Sequence, residues 1–323
     1  MRAAITPQYG PAAVLQVTQV PDPIVGENEV LVQVHASPVT AGDRRVRAAD
    51  FPGASAAVGR LMMGVLRPRN PIQGTMFAGE VVAVGSKVSR YSAGDQVFGS
   101  ADHGAYAELL VRPEDSTMAT LPKGFDYAQA AAVPYGAITA MYFLQTLAEV
   151  QPGESVLLLG AAGGVGRYAI QVAKLLGAKV TAVCSPKDFE LVQELGADAV
   201  LDYNEDFRKQ SERFDVVFDL ADVSGFGDCK EVLSPKGRYL TLYISLAVLA
   251  HVAWTSMGSG PSAKFGVALG DREQLERLAT WMSEGRIRPV MAQAYPLLEI
   301  SAAHALAEQR PKGEVMVLPI LAA

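Results

Sequence analysis

The sequence predicts an α/β protein with two unlike parts: a β-rich part at the N-terminus and a doubly wound parallel sheet in the middle. Three observations predict this. Gly and Pro punctuate strand-like runs every 8–12 residues or so through the first third, as in a barrel-like antiparallel domain. Strand-like and helix-like runs then alternate from Ser155 onward, as in a parallel sheet covered by helices. A glycine-rich turn, Gly160–Gly166, joins the first of those strands to the first of those helices. The 323 residues suffice for two domains, and a chain half apolar and 19% charged is not disordered.

The elements follow in order. Val30–Val34 and Glu80–Gly85 are strand runs, and Gly94–Gly99 holds a turn that leads into a third. Ala56–Leu66 is apolar around Arg60 and predicts a helical insertion. The middle strands are Ser155–Leu159, Lys179–Cys184, Ala199–Leu201, Asp215–Leu220 and Arg238–Leu242, with Lys264–Ala268 as a sixth. Helices are predicted at Val165–Leu176, Phe189–Leu195, Arg272–Glu284 and Ser301–Glu308. The stretch Leu240–Trp254 is mostly apolar but too short and too polar for a membrane span. It predicts a buried strand followed by a helix facing a pocket or a second subunit.

Composition excludes several classes. The net charge of −6 lacks the surplus of a nucleic-acid binder; Arg44, Arg45 and Arg47 are the nearest thing to a basic patch. Two cysteines, Cys184 and Cys229, cannot build a disulfide scaffold or a four-cysteine zinc lobe. The N-terminus lacks the apolar core of a signal peptide, so a cytoplasmic protein is expected. His35, His103, His251 and His304 are scattered, with no triad or metal signature.

The turn carries the strongest chemical signal. In Ala161-x-Gly163-x-x-Gly166, with Gly164 and Val165 between, small residues let backbone N–H groups approach a pyrophosphate. The helix behind the turn adds positive potential. An NAD enzyme places a carboxylate about 20 residues beyond the turn. Here that position is Val183, followed by Ser185 as a donor and Lys187 as a cation for a 2′-phosphate. Tyr203, after the third middle strand, is a further donor, and NADP(H) is therefore the expected cofactor. Asp188 complicates the choice; as the cap of the helix from Phe189 it has a structural role instead.

These segments together resemble the zinc-free, quinone-oxidoreductase-like branch of the medium-chain dehydrogenase/reductase superfamily. The resemblance rests on Gly74–Gly85, Tyr91–Gly99, Gly104–Glu108, Ala130–Pro134 with Thr139-Ala140, the Gly160–Gly166 turn and Gly285–Pro289, in the family's order across nearly the whole chain. It implies a GroES-like catalytic domain (1–122, completed by 269–323) and a Rossmann domain (123–268). It also implies NADPH held between the domains, and a homodimer.

Where zinc-bearing members place their ligands, motif alignment puts Thr40, Thr75 and Tyr135, so no metal is expected. Other departures are Thr40 for the branch's usual Asn, Met76 for an acid, Glu314 for Lys and Ala41 for the tyrosine of some quinone reductases. The usual polar helper is absent or moved. Thr40, Asp43 and Tyr135 are the catalytic candidates, and Thr139 and Tyr243 join the cofactor-binding set. Asp43 reads equally well as a structural carboxylate.

Hydride from a pyridine nucleotide needs no acid, but a ketone's alkoxide needs a Lewis acid or a strong donor. Quinones and enones give delocalised anions that do not. The expected activity is NADPH-dependent reduction of an apolar quinone or α,β-unsaturated carbonyl. By resemblance, the aliphatic segments Ala56–Leu66 and Tyr243–Trp254 lie near that acceptor. An alcohol or aldehyde dehydrogenase, and a nucleotide-binding module with a decayed catalytic half, remain the alternatives.

Overall fold

The computed structural model describes residues 1–51, 55–256 and 258–320; the side chains at 55–58 lie outside the description, and with them the start of the predicted apolar insertion. The chain forms two compact units. The first holds Met1–Phe51, Ala56–Tyr135 and the chain from Gly270 onward; the second is built on Gly136–Leu269.

In the first unit, β1 (Arg2–Ile5) pairs with β2 (Gln16–Gln19). β3 (Glu29–Pro38) buries Val30, Val32 and Val34 in strict alternation, the period of a strand with one face on the core. Helix α1 (Ala41–Ala48) and helix α2 (Ser55–Met63) follow. Next come β4 (Met76–Val84), β5 (Gln96–Ser100), β6 (Leu109–Pro113) and β7 (Met118–Thr120). β3, β4, β5 and β7 form an antiparallel path, with β6 on the other side of β3. Phe77, Val81, Val97 and Met118 close its core against the β3 valines.

α3 (Tyr127–Ala132) packs on β3, β4 and β5. The units therefore divide at Tyr135 and Gly136 rather than at 122 and 123, because Tyr127–Ala132 buries its alanines against the first sheet.

The second unit begins within α4 (Pro134–Met141). β8 (Ser155–Leu159) is followed by α5 (Gly164–Leu175), β9 (Lys179–Cys184), α6 (Phe189–Glu194) and β10 (Ala199–Asp202). β11 (Phe214–Asp219), α7 (Phe226–Cys229), β12 (Leu233–Thr241), α8 (Leu246–Thr255) and β13 (Ser262–Phe265) complete it. All six strands are parallel, in the order β10-β9-β8-β11-β12-β13. Val156–Leu159 are buried on both faces, as helices on each side of a parallel sheet require.

Two strand boundaries differ from the sequence reading. β12 starts at Leu233, five residues early, because Leu233 pairs with Phe214 ahead of an irregularity at Ser234–Gly237. β13 is Ser262–Phe265 rather than Lys264–Ala268, since Ser262 and Ala263 take the places opposite Arg238 and Tyr239.

The chain returns to the first unit through α9 (Arg272–Ser283), β14 (Met291–Pro296), α10 (Ile300–Glu308) and β15 (Glu314–Leu318). β15 extends the β3 sheet, antiparallel to β3 and parallel to β14. Among the described residues, no helix is long and apolar enough to cross a membrane.

Candidate active site

In the second unit, the order of the sheet places the glycine-rich turn. β8 and β11 are adjacent, yet the chain runs outward from β8 to β9 and β10 before returning to β11. The turn after β8 thus sits at the carboxyl edge, where the strand order reverses and open parallel sheets bind ligands.

Each small residue there has a steric reason. The Gly160 and Ala161 amides both donate to the Val183 carbonyl, at 3.0 and 3.1 Å. Gly160 adopts φ +87°, and a Cβ on it would meet that of Ala221 at 2.8 Å. A Cβ on Gly166 would lie 2.5 Å from the Ala161 carbonyl oxygen and 2.6 Å from that of Gly160. Gly163 caps α5 and, with Gly164, is exposed. The N–H groups of Gly164, Val165 and Gly166 start the helix without intrahelical acceptors, at its positive end.

The neighbouring strand ends carry the other expected nucleotide contacts. Ser185 and exposed Lys187 follow β9, and the Tyr203 amide donates to the Cys184 carbonyl at 3.0 Å. That bond brings Tyr203, 62% exposed, beside the end of β9. The three residues share one edge with the turn.

Acid also gathers there. Burial, and then the charges of Asp188 and Asp202, push the Cys184 thiol up to about 11, so Cys184 is an inert buried thiol. Asp188 occupies the cap position of α6 but makes no side-chain cap bond, which corrects its expected role. Asp219, fully buried at the end of β11, was missed by the sequence reading. It accepts from the amides of Ala221, Val223 and Ser224 at 2.9, 3.1 and 2.8 Å and so shapes the loop beyond β11. The hydroxyl of Tyr243, beyond β12, donates to the Leu220 carbonyl of that loop at 3.3 Å. Thr139 lies one turn beyond Gly136, whose place on α4 is packed against Tyr168 and the Gly164 carbonyl.

In the first unit, Thr40, Asp43, Thr75 and Tyr106 converge. Thr40 caps α1; its hydroxyl donates to Asp43 at 2.6 Å and accepts from the Asp43 amide at 3.1 Å. Its amide donates to the same carboxylate oxygen at 2.9 Å, completing a capping box. Thr75, from the loop before β4, donates to the other oxygen at 3.2 Å.

Asp43 is 1% exposed. Burial raises its pKa, and its bonds to Thr40, Thr75 and Tyr106 oppose the rise. Thr40, 4% exposed, spends its hydroxyl on the helix start and on Asp43. Tyr135 stands over Gly42: a Cβ there would be 3.6 Å from its ring and 3.7 Å from its hydroxyl. Burial and the Asp43 charge raise the Tyr135 pKa, while Arg45, the Gly42 amide and Arg44 pull it down.

Behind this cluster, His304 on α10 is fully buried and stands edge-on to Tyr106, with ring centroids 5.5 Å apart. Burial, then Arg47 and Arg44, lower its pKa to about 3, so it is neutral. Arg47 is 2% exposed and ion-paired with Glu308, so the three arginines of α1 are not the surface patch that spacing suggested.

Thr40, Thr75 and Tyr135 offer only hydroxyls, a set that does not fit zinc, which takes thiolate, imidazole and carboxylate donors. Their nearest carboxylate is engaged by three hydrogen bonds of its own. Among the described residues, no three His, Cys, Asp or Glu side chains group as metal ligands.

Comparison with known proteins agrees with this architecture. Residues 26–123 match the alcohol dehydrogenase GroES-like domain family, and residues 195–313 match the family described as zinc-binding dehydrogenase. The chain is 30% identical to the chloroplast envelope quinone oxidoreductase homolog of Arabidopsis thaliana, over 96% of this chain and 95% of that one. It is also 30% identical to the NADPH-dependent alkenal/one oxidoreductase of the same plant, over 99% of this chain and 80% of that protein. The quinone oxidoreductase of Coxiella burnetii superposes with a TM-score of 0.85 at 29% identity, covering 98% of this chain and 99% of that one.

Proposed function

We propose that this chain, which belongs to the quinone-oxidoreductase-like branch of the medium-chain dehydrogenase/reductase superfamily, is a zinc-independent reductase that uses NADPH to reduce quinones or α,β-unsaturated carbonyls. That it is an oxidoreductase follows from the relatives it matches over nearly its whole length. The observation that carries the finer reading is the hydroxyl set Thr40, Thr75 and Tyr135 around Asp43. It offers a localised alkoxide no Lewis acid and no donor stronger than a phenol, whereas a hydroquinone anion or an enolate spreads its own charge.

When bound, NADPH supplies the hydride. The N–H groups of Gly164, Val165 and Gly166 would hold its pyrophosphate, and Ser185, Lys187 and Tyr203 would engage the ribose and its 2′-phosphate. In the first unit, Asp43 anchors Thr40 and Thr75 and fixes the start of α1. Tyr135 keeps its proton at neutral pH, its oxygen supported by the Gly42 amide, and in this reading is the group that protonates or hydrogen-bonds the acceptor oxygen. A homodimer belongs to the same reading, supported by α8, which exposes Leu246, Leu249 and Trp254.

A panel of small quinones and enones, assayed by NADPH oxidation with and without a strong chelator, tests the reading. Turnover that survives the chelator, with negligible oxidation of simple alcohols by NADP⁺, is expected. Robust alcohol oxidation without quinone or enone reduction overturns it, as does stoichiometric zinc in protein purified without added metal.

A further inference from the structure

The loop that closes α2 is built to hold apolar side chains in water. Gly64 ends the helix at φ +122°, where an added Cβ would lie 2.0 Å from the Arg67 carbonyl oxygen. The chain then doubles back: the Arg69 amide donates to the Met63 carbonyl at 2.8 Å, and the Arg69 guanidinium donates to the Leu61 carbonyl at 2.9 Å. From the other side, the Tyr9 hydroxyl donates to the Gly64 carbonyl at 2.6 Å.

The last turn of α2 and this well-braced loop expose Leu61 by 65%, Met62 by 63%, Val65 by 59% and Leu66 by 87%. A fold that pins a loop by four backbone carbonyls or amides and turns its aliphatic tips outward has not spent them on its own core.

The charge of this stretch of chain is one-sided. Arg60, Arg67 and Arg69 are exposed beside them, and no carboxylate lies between Asp50 and Glu80, in a chain whose net charge is −6. Exposed aliphatic side chains interleaved along the chain with exposed arginines match the boundary of an anionic bilayer. The apolar tips enter the acyl edge there and the guanidiniums meet lipid phosphates.

We propose that the Arg60–Arg69 loop is a docking surface for an anionic lipid bilayer, binding peripherally. The proposal does not depend on the reductase reading, because it is measured without nucleotide or acceptor.

The test is co-sedimentation of the full chain with vesicles of phosphatidylcholine alone and with vesicles containing phosphatidylglycerol. The chain is expected to pellet with the anionic vesicles, to be released by raised sodium chloride, and to stay in solution with phosphatidylcholine. Arg67→Gln should weaken the partition about fivefold and Leu66→Gln about tenfold, with melting temperatures unchanged. No preference for the anionic vesicles, or an unaltered partition in both variants, overturns the proposal. So does a change of mass by light scattering in Leu66→Gln with vesicle binding intact, since the patch would then join two copies of the chain.

Discussion

Thr40 and Asp43 hold each other: the Thr40 hydroxyl donates to the Asp43 carboxylate at 2.6 Å while the Asp43 amide donates back to that hydroxyl at 3.1 Å. The pair starts α1 and ties it to Thr75, 32 residues away. Thr40→Val keeps the shape and removes both bonds, leaving a buried carboxylate short of a donor. It should destabilise the chain by about 1–3 kcal/mol. Thr40→Ser should restore most of that loss. Denaturant unfolding of the three proteins reads the difference, and equal stability of Val and wild type would show that the capping box is idle.

Gly166→Ala should abolish tight nucleotide binding. Its new Cβ would stand within 2.6 Å of two backbone carbonyl oxygens that have no room to retreat, so α5 must move away from β8. A loss of affinity for NADPH of at least about tenfold is expected by titration. Gly163→Ala, whose Cβ would meet only the Gly160 carbonyl at 3.2 Å, should be milder.

Lys187→Ala should weaken NADPH by about 1.5–3 kcal/mol and leave NADH nearly unchanged, because only the former carries the 2′-phosphate. Asp202 stands opposite Cys184 in the strand register and places negative charge at the same edge. Asp202→Asn should therefore tighten NADPH slightly, by about 0.5 kcal/mol. Titrating both nucleotides into the three proteins separates these effects, and equal affinities of the wild type for NADPH and NADH defeat the assignment.

His304 makes stability fall with acid. Its folded pKa is lowered to about 3 from an ordinary 6.5, mainly by burial, with Arg47 and Arg44 opposing a second positive charge. Between those values the unfolded chain binds a proton that the folded chain refuses. Its contribution is thus intact above about pH 6.5 and is lost as pH falls toward 3, by up to about 1.4 kcal/mol per pH unit. His304→Leu should flatten the decline between pH 6 and pH 4, whatever its stability at pH 7. Unfolding curves at several pH values test this, and an unchanged slope would mean that His304 takes up its proton inside the fold.

The sequence by itself determined the alternation of strands and helices from Ser155 onward and the Gly160–Gly166 turn. Each of these is local: a strand or helix writes its period into a few neighbouring residues, and a turn needs its small residues at fixed offsets. Even there the reading slipped where pairing overrode local punctuation, as at Leu233, which joins its strand ahead of a Pro-Lys-Gly interruption.

Tertiary structure alone supplied the full set of partners around Asp43. Spacing brought it to Thr40, but only the packing of β4 against β3 delivers Thr75 to its second oxygen. Likewise, nothing local tells His304 that Tyr106 and Arg47 will surround it, or Arg47 that Glu308, 261 residues on, will pair with it. A buried polar group is defined by the partners that replace its water, and those partners come from wherever the chain returns.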